Sequence, residues 1–216
     1  MDISHDQADL ELPADANYAE KLAHARKTSM ERAASLVASI APDLNARDDR
    51  IAGELARENA SAKAKLGKIY RLAAEFAEAA ASFVPCSKGC AGCCKMNVSI
   101  TSIEAQRLAE VSGRTMVDVR SPVTHSEAKF SSIPCPFLVD EVCSVYEVRP
   151  YACRAHFSFD LSSYWCQPAR AYEDGMGVVE LGGAKRAYLT IAMQSPMGGF
   201  ADIRDFFPAA RESSKL

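Results

Sequence analysis

Four of the eight cysteines fall within nine residues, 86-CSKGCAGCC-94, and the rest follow as Cys135, Cys143, Cys153 and Cys166. A thiolate is a soft, strong metal ligand, and the spacing Cys86-x3-Cys90-x2-Cys93-Cys94 gathers several with little loop-closure entropy. Gly89 and Gly92 directly precede Cys90 and Cys93. Glycine lets the backbone turn sharply, so that amide hydrogens can point at sulfur and spread its charge. Lys88, Lys95, Arg149 and Arg154 stand near cysteines in the chain, where cations would favour the thiolate form. Cys86, Cys90, Cys93, Cys94, Cys135, Cys143, Cys153 and Cys166 are therefore all candidate metal ligands. They would suffice for two four-thiolate zinc sites, or for one iron–sulfur cubane with four cysteines left for packing, a second centre or redox sensing.

The adjacent pair Cys93-Cys94 is ambiguous. Neighbouring side chains of extended backbone point to opposite sides, so either the two serve different metals or one is a ligand and the other is packed or reactive. A helix would put Cys90 on one face with both, but two glycines weaken that option. A lone cysteine such as Cys166 reads equally well as a small buried hydrophobe. His156, three residues after Cys153, could substitute as a ligand but reads as an ordinary, partly exposed histidine; His5, His24 and His125 carry no signal. Trp165 reads as core packing.

Taken together, 86-CSKGCAGCC-94, 135-CPFL-138 and 143-CSVYEVRPYACR-154 resemble the YkgJ-type cysteine-cluster family, small bacterial proteins described as zinc- or iron-chelating. The resemblance covers roughly residues 86 to 166 and implies a metal site built from these cysteines. A relative, the flagellin lysine N-methylase, shows that the family can be attached to an enzyme, but nothing here matches a substrate site for that activity. Within the third motif Pro150 would stiffen the turn that delivers Cys153. Arg149 suits a buried carboxylate or cluster sulfurs, and Tyr146 could pack its ring beside the site.

These residues predict a metal-binding protein with zinc or an iron–sulfur centre, in a structural or accessory role. The alternative is an iron–sulfur redox or modification enzyme, an oxidoreductase or methylase-like. The first cysteine triad has the spacing that holds the open-site cluster of radical S-adenosylmethionine enzymes, but the chain is too short and irregular for their βα barrel, and Gly92 stands where an aromatic is usual. Thiol redox without metal ranks last, since the βαβ context of a thioredoxin-like motif is missing. No Ser/His/Asp set, paired carboxylates or phosphate loop identifies catalytic residues. The glycines of 175-GMGVVELGG-183 and 198-GG-199 fit neither phosphate-binding spacing and read as turns.

What must position the cysteines is a chain of 216 residues, 48% hydrophobic and 25% charged, with net charge −3. That balance offers no footprint for nucleic acid or an anionic membrane. The most apolar tract, residues 72–84, is interrupted by Glu75 and Glu78 and is no membrane span. The first twenty residues carry six acids and no Lys or Arg, unlike a secretory leader. The expected compartment is the cytoplasm, where thiols stay reduced and dense cysteines point to metal over disulfides.

Three regions are expected: a disordered acidic tail over 1–17, a helical region over 18–84, and a metal-binding domain over 85–216. A helix is predicted over 18–40, and a long helical stretch from about 44 to 84 after Pro42, which suits a first-turn position. Leu66, Ile69, Ala73, Phe76, Ala80 and Phe83 form a seam three and four apart, which would close a helical hairpin or offer a surface for a protein partner or self-association. Further on come a short strand over 97–100, a capping box from Thr101 and Glu104 opening a helix that Gly113 closes, and a short helix near 114–120. Loops and single turns are expected over 131–164, a strand over 178–181, and a helix or strand over 184–194. The fold class is mainly α: an N-terminal helical hairpin, then a small irregular α(+β) domain organised by metal.

Overall fold

The structure, a computed structural model, describes residues 17–171, 173–194 and 198–209, so the acidic tail read from the sequence lies outside it apart from Asn17. The chain is mainly α. Helices α1 (Tyr18–Ser39), α2 (Pro42–Arg57) and α3 (Ala62–Ala80) come first. Then follow α4 (Ser102–Ser112), α5 (Tyr151–Ala155), α6 (Gly182–Gln194) and the single turn α7 (Ile203–Phe206). The strands are short: β1 (Ser99–Thr101) pairs antiparallel with β4 (Phe200–Asp202), and β2 (Leu138–Val139) with β3 (Val142–Cys143).

The stretch expected as one helix from 44 to 84 is two. Glu58 turns to extended backbone after α2, and Ser61 starts α3 by accepting a hydrogen bond from the Ala64 amide (3.2 Å). The seam works inside the chain: Leu66, Ile69, Ala73, Phe76 and Ala80 are buried in a core shared with α1, α2, α5 and α6. Burying side chains of this size contributes about 1.5–3 kcal/mol each, which gives the helices their stability. On α2, the Asp48 carboxylate accepts the Gly183 and Ala184 amides (2.9 and 2.8 Å), satisfying orphan donors at the start of α6. Gly183 is required there, since a Cβ would stand 1.6 Å from the Asp48 carbonyl oxygen.

A second core, of Val98, Ile100, Ala105, Leu108, Phe137, Val145, Ala201, Ile203, Phe206 and Phe207, lies under the β1–β4 pair. The helix expected near 114–120 is absent. That segment runs extended, with the Val117 amide on the Phe206 carbonyl (2.8 Å) and the Val119 carbonyl accepting from Ser102 Oγ (3.1 Å). Residues 178–181 are not a strand but lead into α6, which settles 184–194 as helix. Local pattern could not see either partner. In the third, small core Trp165 packs with Leu22 and Ala25 of α1, so the segment around Cys166 is pinned to the first helix.

The capping box read from the sequence is present, and its Glu104 does more than cap. The carboxylate is 1% exposed and accepts from the Thr101 amide (3.0 Å), Thr101 Oγ1 (3.1 Å), Tyr70 Oη of α3 (2.7 Å), Tyr188 Oη of α6 (2.7 Å) and the Tyr151 amide (2.7 Å). One side chain thus ties α3, α4, α5 and α6 together. Replacing it strands several buried donors, each costing about 1–3 kcal/mol. Glu104→Ala is expected to destabilise the fold by about 3 kcal/mol or more. Thermal unfolding followed by circular dichroism checks this; a midpoint within a degree or so of the parent would remove Glu104 from its central role.

Candidate metal centre

All eight cysteines line one cavity of about 430 Å³. Its apolar walls come from Ala73, Ala77 and Val84 on one side and from Val98, Phe137, Val145 and Ile203 on the other. Each thiol arrives by a local device. Cys86 and Cys90 sit on the loop after α3, where Gly89 turns at φ +96°. Cys93 and Cys94 lie on the 3-10 turn Gly92–Lys95, a single helical turn in place of the extended or α-helical alternatives. Cys135 and Cys143 flank the β2–β3 hairpin, whose two central residues, Asp140 (φ 50°) and Glu141 (φ 58°), adopt the left-handed backbone of a tight hairpin turn. Cys153 is on α5, and Cys166 ends the 3-10 turn Ser163–Cys166.

Within the cavity the thiols have two groups of neighbours, joined through Cys93. Cys94, Cys135, Cys143 and Cys153 form an inner set: the Cys135 amide donates to the Cys94 carbonyl (2.7 Å), and the Cys153 thiol feels the charges of Cys135, Cys94 and Cys143. Cys86, Cys90 and Cys166 interact with one another in the same way, and Ser158 joins two of them, its amide on Cys86 Sγ (3.5 Å) and its side chain bonded to Cys166. Cys93 lies between, feeling Cys90 on one side and Cys94 and Cys153 on the other. Cys86, Cys90 and Cys166 form an outer set, and Cys93 bridges the two. Gly92 packs against the Cys166 carbonyl, 2.7 Å from where a Cβ would stand, which fixes Cys93 beside the Cys166 turn. The adjacent pair stays in contact, the Cys93 thiol within hydrogen-bond reach of Cys94.

The surroundings suit thiolates. Cys135 accepts a hydrogen bond from the Phe137 amide and Cys143 from the Val145 amide, the same two-residue offset twice. Such amides spread the charge of a bound thiolate. Arg204 donates to the Cys94 (3.2 Å), Met96 (3.1 Å) and Ile133 carbonyls, holding the inner loops together and placing its cation beside Cys94. The Cys93 thiol donates to Cys94, and with Arg204 and Lys95 nearby this makes Cys94 the more acidic of the pair. Arg149 lines the cavity, stacks 4.2 Å from the Tyr146 ring centroid, and has a buried Nε with no hydrogen-bond partner. Burial raises the thiols of Cys86 in the outer set and Cys143 in the inner, and the Arg149 cation offsets part of that rise. A buried donor without an acceptor, in a cavity of eight thiols, fits a negatively charged metal–thiolate group.

Other sequence readings come out differently. Arg154 lines the thiol cavity near Cys153, grips the Arg149 (2.8 Å) and Glu147 (2.6 Å) carbonyls and lies over the Tyr70 ring, holding the turn before Cys153. Lys95 is tied to Glu141 (2.9 Å). His156 is exposed, at the cavity edge. Pro150 is buried at the N-cap of α5, in the place expected of it. Arg204 and Ser158 carry no local signal in the sequence, Arg204 standing 110 residues from Cys94.

Fold and cavity together define a helical protein organised around a pocket of thiols. Residues 85–169, which contain every cysteine, match the family model CxxCxxCC, described as "Putative zinc- or iron-chelating domain". This is the family read from the three cysteine motifs, and the match leaves α1, α2, α3 and the chain beyond residue 169 outside it. No curated protein matches the chain, and no solved structure matches it. Among the described residues no helix is long and apolar enough to cross a membrane.

Burial raises the thiols of Cys86, Cys135, Cys143, Cys153 and Cys166, Cys135 to about 11. Without metal these groups are protonated at neutral pH, so an incoming ion must displace protons and its affinity must rise with pH. Cobalt(II) titrations at pH 6.5 and 8.5 are expected to show tighter binding at the higher pH, with protons released to a weak buffer. Affinity independent of pH would contradict it.

Proposed function

We propose that this is an iron–sulfur protein in which Cys86, Cys90, Cys93 and Cys166 hold one polynuclear centre and Cys94, Cys135, Cys143 and Cys153 a second. The observation that carries the reading is the shape of the donor set. Zinc in a closed site draws four sulfurs to about 2.3 Å from one point, leaving no space between them. Here, among the described residues, no three His, Cys, Asp or Glu side chains converge closely enough to hold a single ion. The thiols instead surround a cavity of about 430 Å³. A water molecule's share of liquid volume is about 30 Å³, so the space is an order of magnitude larger than one small ligand needs. A cavity of that volume, bordered by eight thiols, offers room for clusters of iron and sulfide held by four cysteines each.

When bound, such clusters supply one-electron chemistry, and here they would also bind the fold together. The inner set draws on the hairpin, α5 and the 3-10 turn at Gly92–Lys95, and the outer set joins the loop after α3 to the Cys166 turn. The chain's own residues would contribute charge balance through Arg149, Arg204 and Lys95, and amide donors through Phe137, Val145 and Ser158. Apolar walls would exclude water from the inner set. The role that fits is an accessory one, with the helices presenting and shielding the centres.

Purified without oxygen, the protein is expected to be brown, to absorb in the visible range, and to contain iron and acid-labile sulfide in equal amounts corresponding to two centres per chain. A colourless protein holding zinc and no sulfide would overturn the iron–sulfur reading.

A further inference from the structure

All eight thiols border one cavity, and one short segment joins their two groups. At one end of the Gly92–Lys95 turn, Gly92 packs so closely on Cys166 that a Cβ would stand 2.7 Å from the Cys166 carbonyl oxygen. Further along, the Cys94 carbonyl accepts the Cys135 amide (2.7 Å). Cys93 lies between these anchors, its thiol within hydrogen-bond reach of Cys94.

Positive charge around the thiols is already engaged, with one exception. Arg204, beside Cys94, is paired with buried Asp202 (3.0 Å), and Lys95 with Glu141 (2.9 Å). Arg154 directs its donors to the Arg149 and Glu147 carbonyls. The buried carboxylates of Glu104 and Asp160 set negative charge against Cys153 and Cys166. Arg149 is the exception. It stacks on Tyr146, but among the described residues its guanidinium donates no hydrogen bond and pairs with no carboxylate, and its Nε is buried. A divalent ion held by four thiolates is a dianion. Two of them in one cavity with apolar walls repel far more strongly than they would in water.

We propose, building on the two thiol groups inferred above, that the groups are coupled: a metal ion taken up by one weakens uptake by the other, and Arg149 is the shared counter-ion that lets both fill. Each uptake exchanges the ion for the protons of its thiols, which pass to solvent, and no electron is transferred. When the first group fills, Arg149 is unengaged and the neighbouring thiols are neutral. When the second fills, its charge is added beside the first, and the donors of one guanidinium serve sulfurs of both groups. Ordering of the Gly92–Lys95 turn by the first ion acts in the opposite sense. That turn is already anchored to both groups, so little ordering is left to gain and charge decides the sign.

Cobalt(II) alone is the probe, titrated without oxygen into the full metal-free chain against a competing chelator, with thiolate absorption counting the ligated sulfurs. Two steps are expected, the second weaker by roughly tenfold or more, the usual scale of coupling between sites. Two unequal but independent sites would give the same curve, so variants decide. Cys90→Ala removes a ligand of the outer group and Cys143→Ala one of the inner. In one of these variants the surviving group is the one that filled second. With its neighbour empty, it is expected to bind roughly tenfold more tightly than in the parent. Arg149→Gln is expected to weaken both steps and Arg149→Lys to recover part of the loss, with circular dichroism confirming that each variant is folded. A surviving group no tighter than the parent's second step, or Arg149→Gln weakening one step alone, would overturn the coupling and leave the two groups standing. A parent chain that takes up a single equivalent, or a folded cysteine variant that loses all uptake, would overturn both.

Discussion

A carboxylate that is 1% exposed organises this molecule. Glu104 accepts five hydrogen bonds, from a backbone cap, a threonine, two tyrosines and the first amide of α5. Burying a charge is costly unless its lone pairs are filled, and here every donor that fills them belongs to an element that must meet at this point. The Tyr151 amide matters most for the site, since it opens the short helix that carries Cys153. Helical packing and thiol placement are thus set by one group, and α5, too short to be stable alone, holds its position by that bond and by Tyr151 stacked on Tyr188 at 4.7 Å.

The second constraint is charge. Thiolates crowded into one cavity repel, and the fold answers with partition and with fixed donors. The Gly92–Lys95 turn sets Cys93 between the two groups of thiols, each backed by its own amides: Ser158 in the outer, Phe137 and Val145 in the inner. Arg149 reaches thiols of both sets, which makes it the cation between them. Helices outside the matched family segment help wall this arrangement, α3 lining the cavity directly and α1 clamping the Cys166 segment through Trp165.

Much of this was legible locally. The capping box at Thr101 and Glu104, the αL glycine at Gly113, Pro42 at the start of α2 and the buried seam of α3 are short-range patterns whose physics is complete within a few residues. The break between α2 and α3 was missed because Ser61 reads as a cap only once the chain before it is known to leave the helix. The extended run at 114–120 takes its bonds from Phe206 and Ser102, and no local propensity reports such partners. Glu104 shows the same limit within one residue: its cap was visible, its tyrosines were not.

By itself the sequence determined the family and the residue types: eight thiols, seven of them in three ordered motifs. It could not determine how those ligands divide, because Cys93 and Cys94 are equivalent to any argument from spacing. Only the tertiary structure shows what surrounds each of them. The Gly92 approach to the Cys166 carbonyl and the Arg204 grip on Cys94 join residues far apart in the chain, and the energy of such contacts belongs to the packed fold, not to any segment of it.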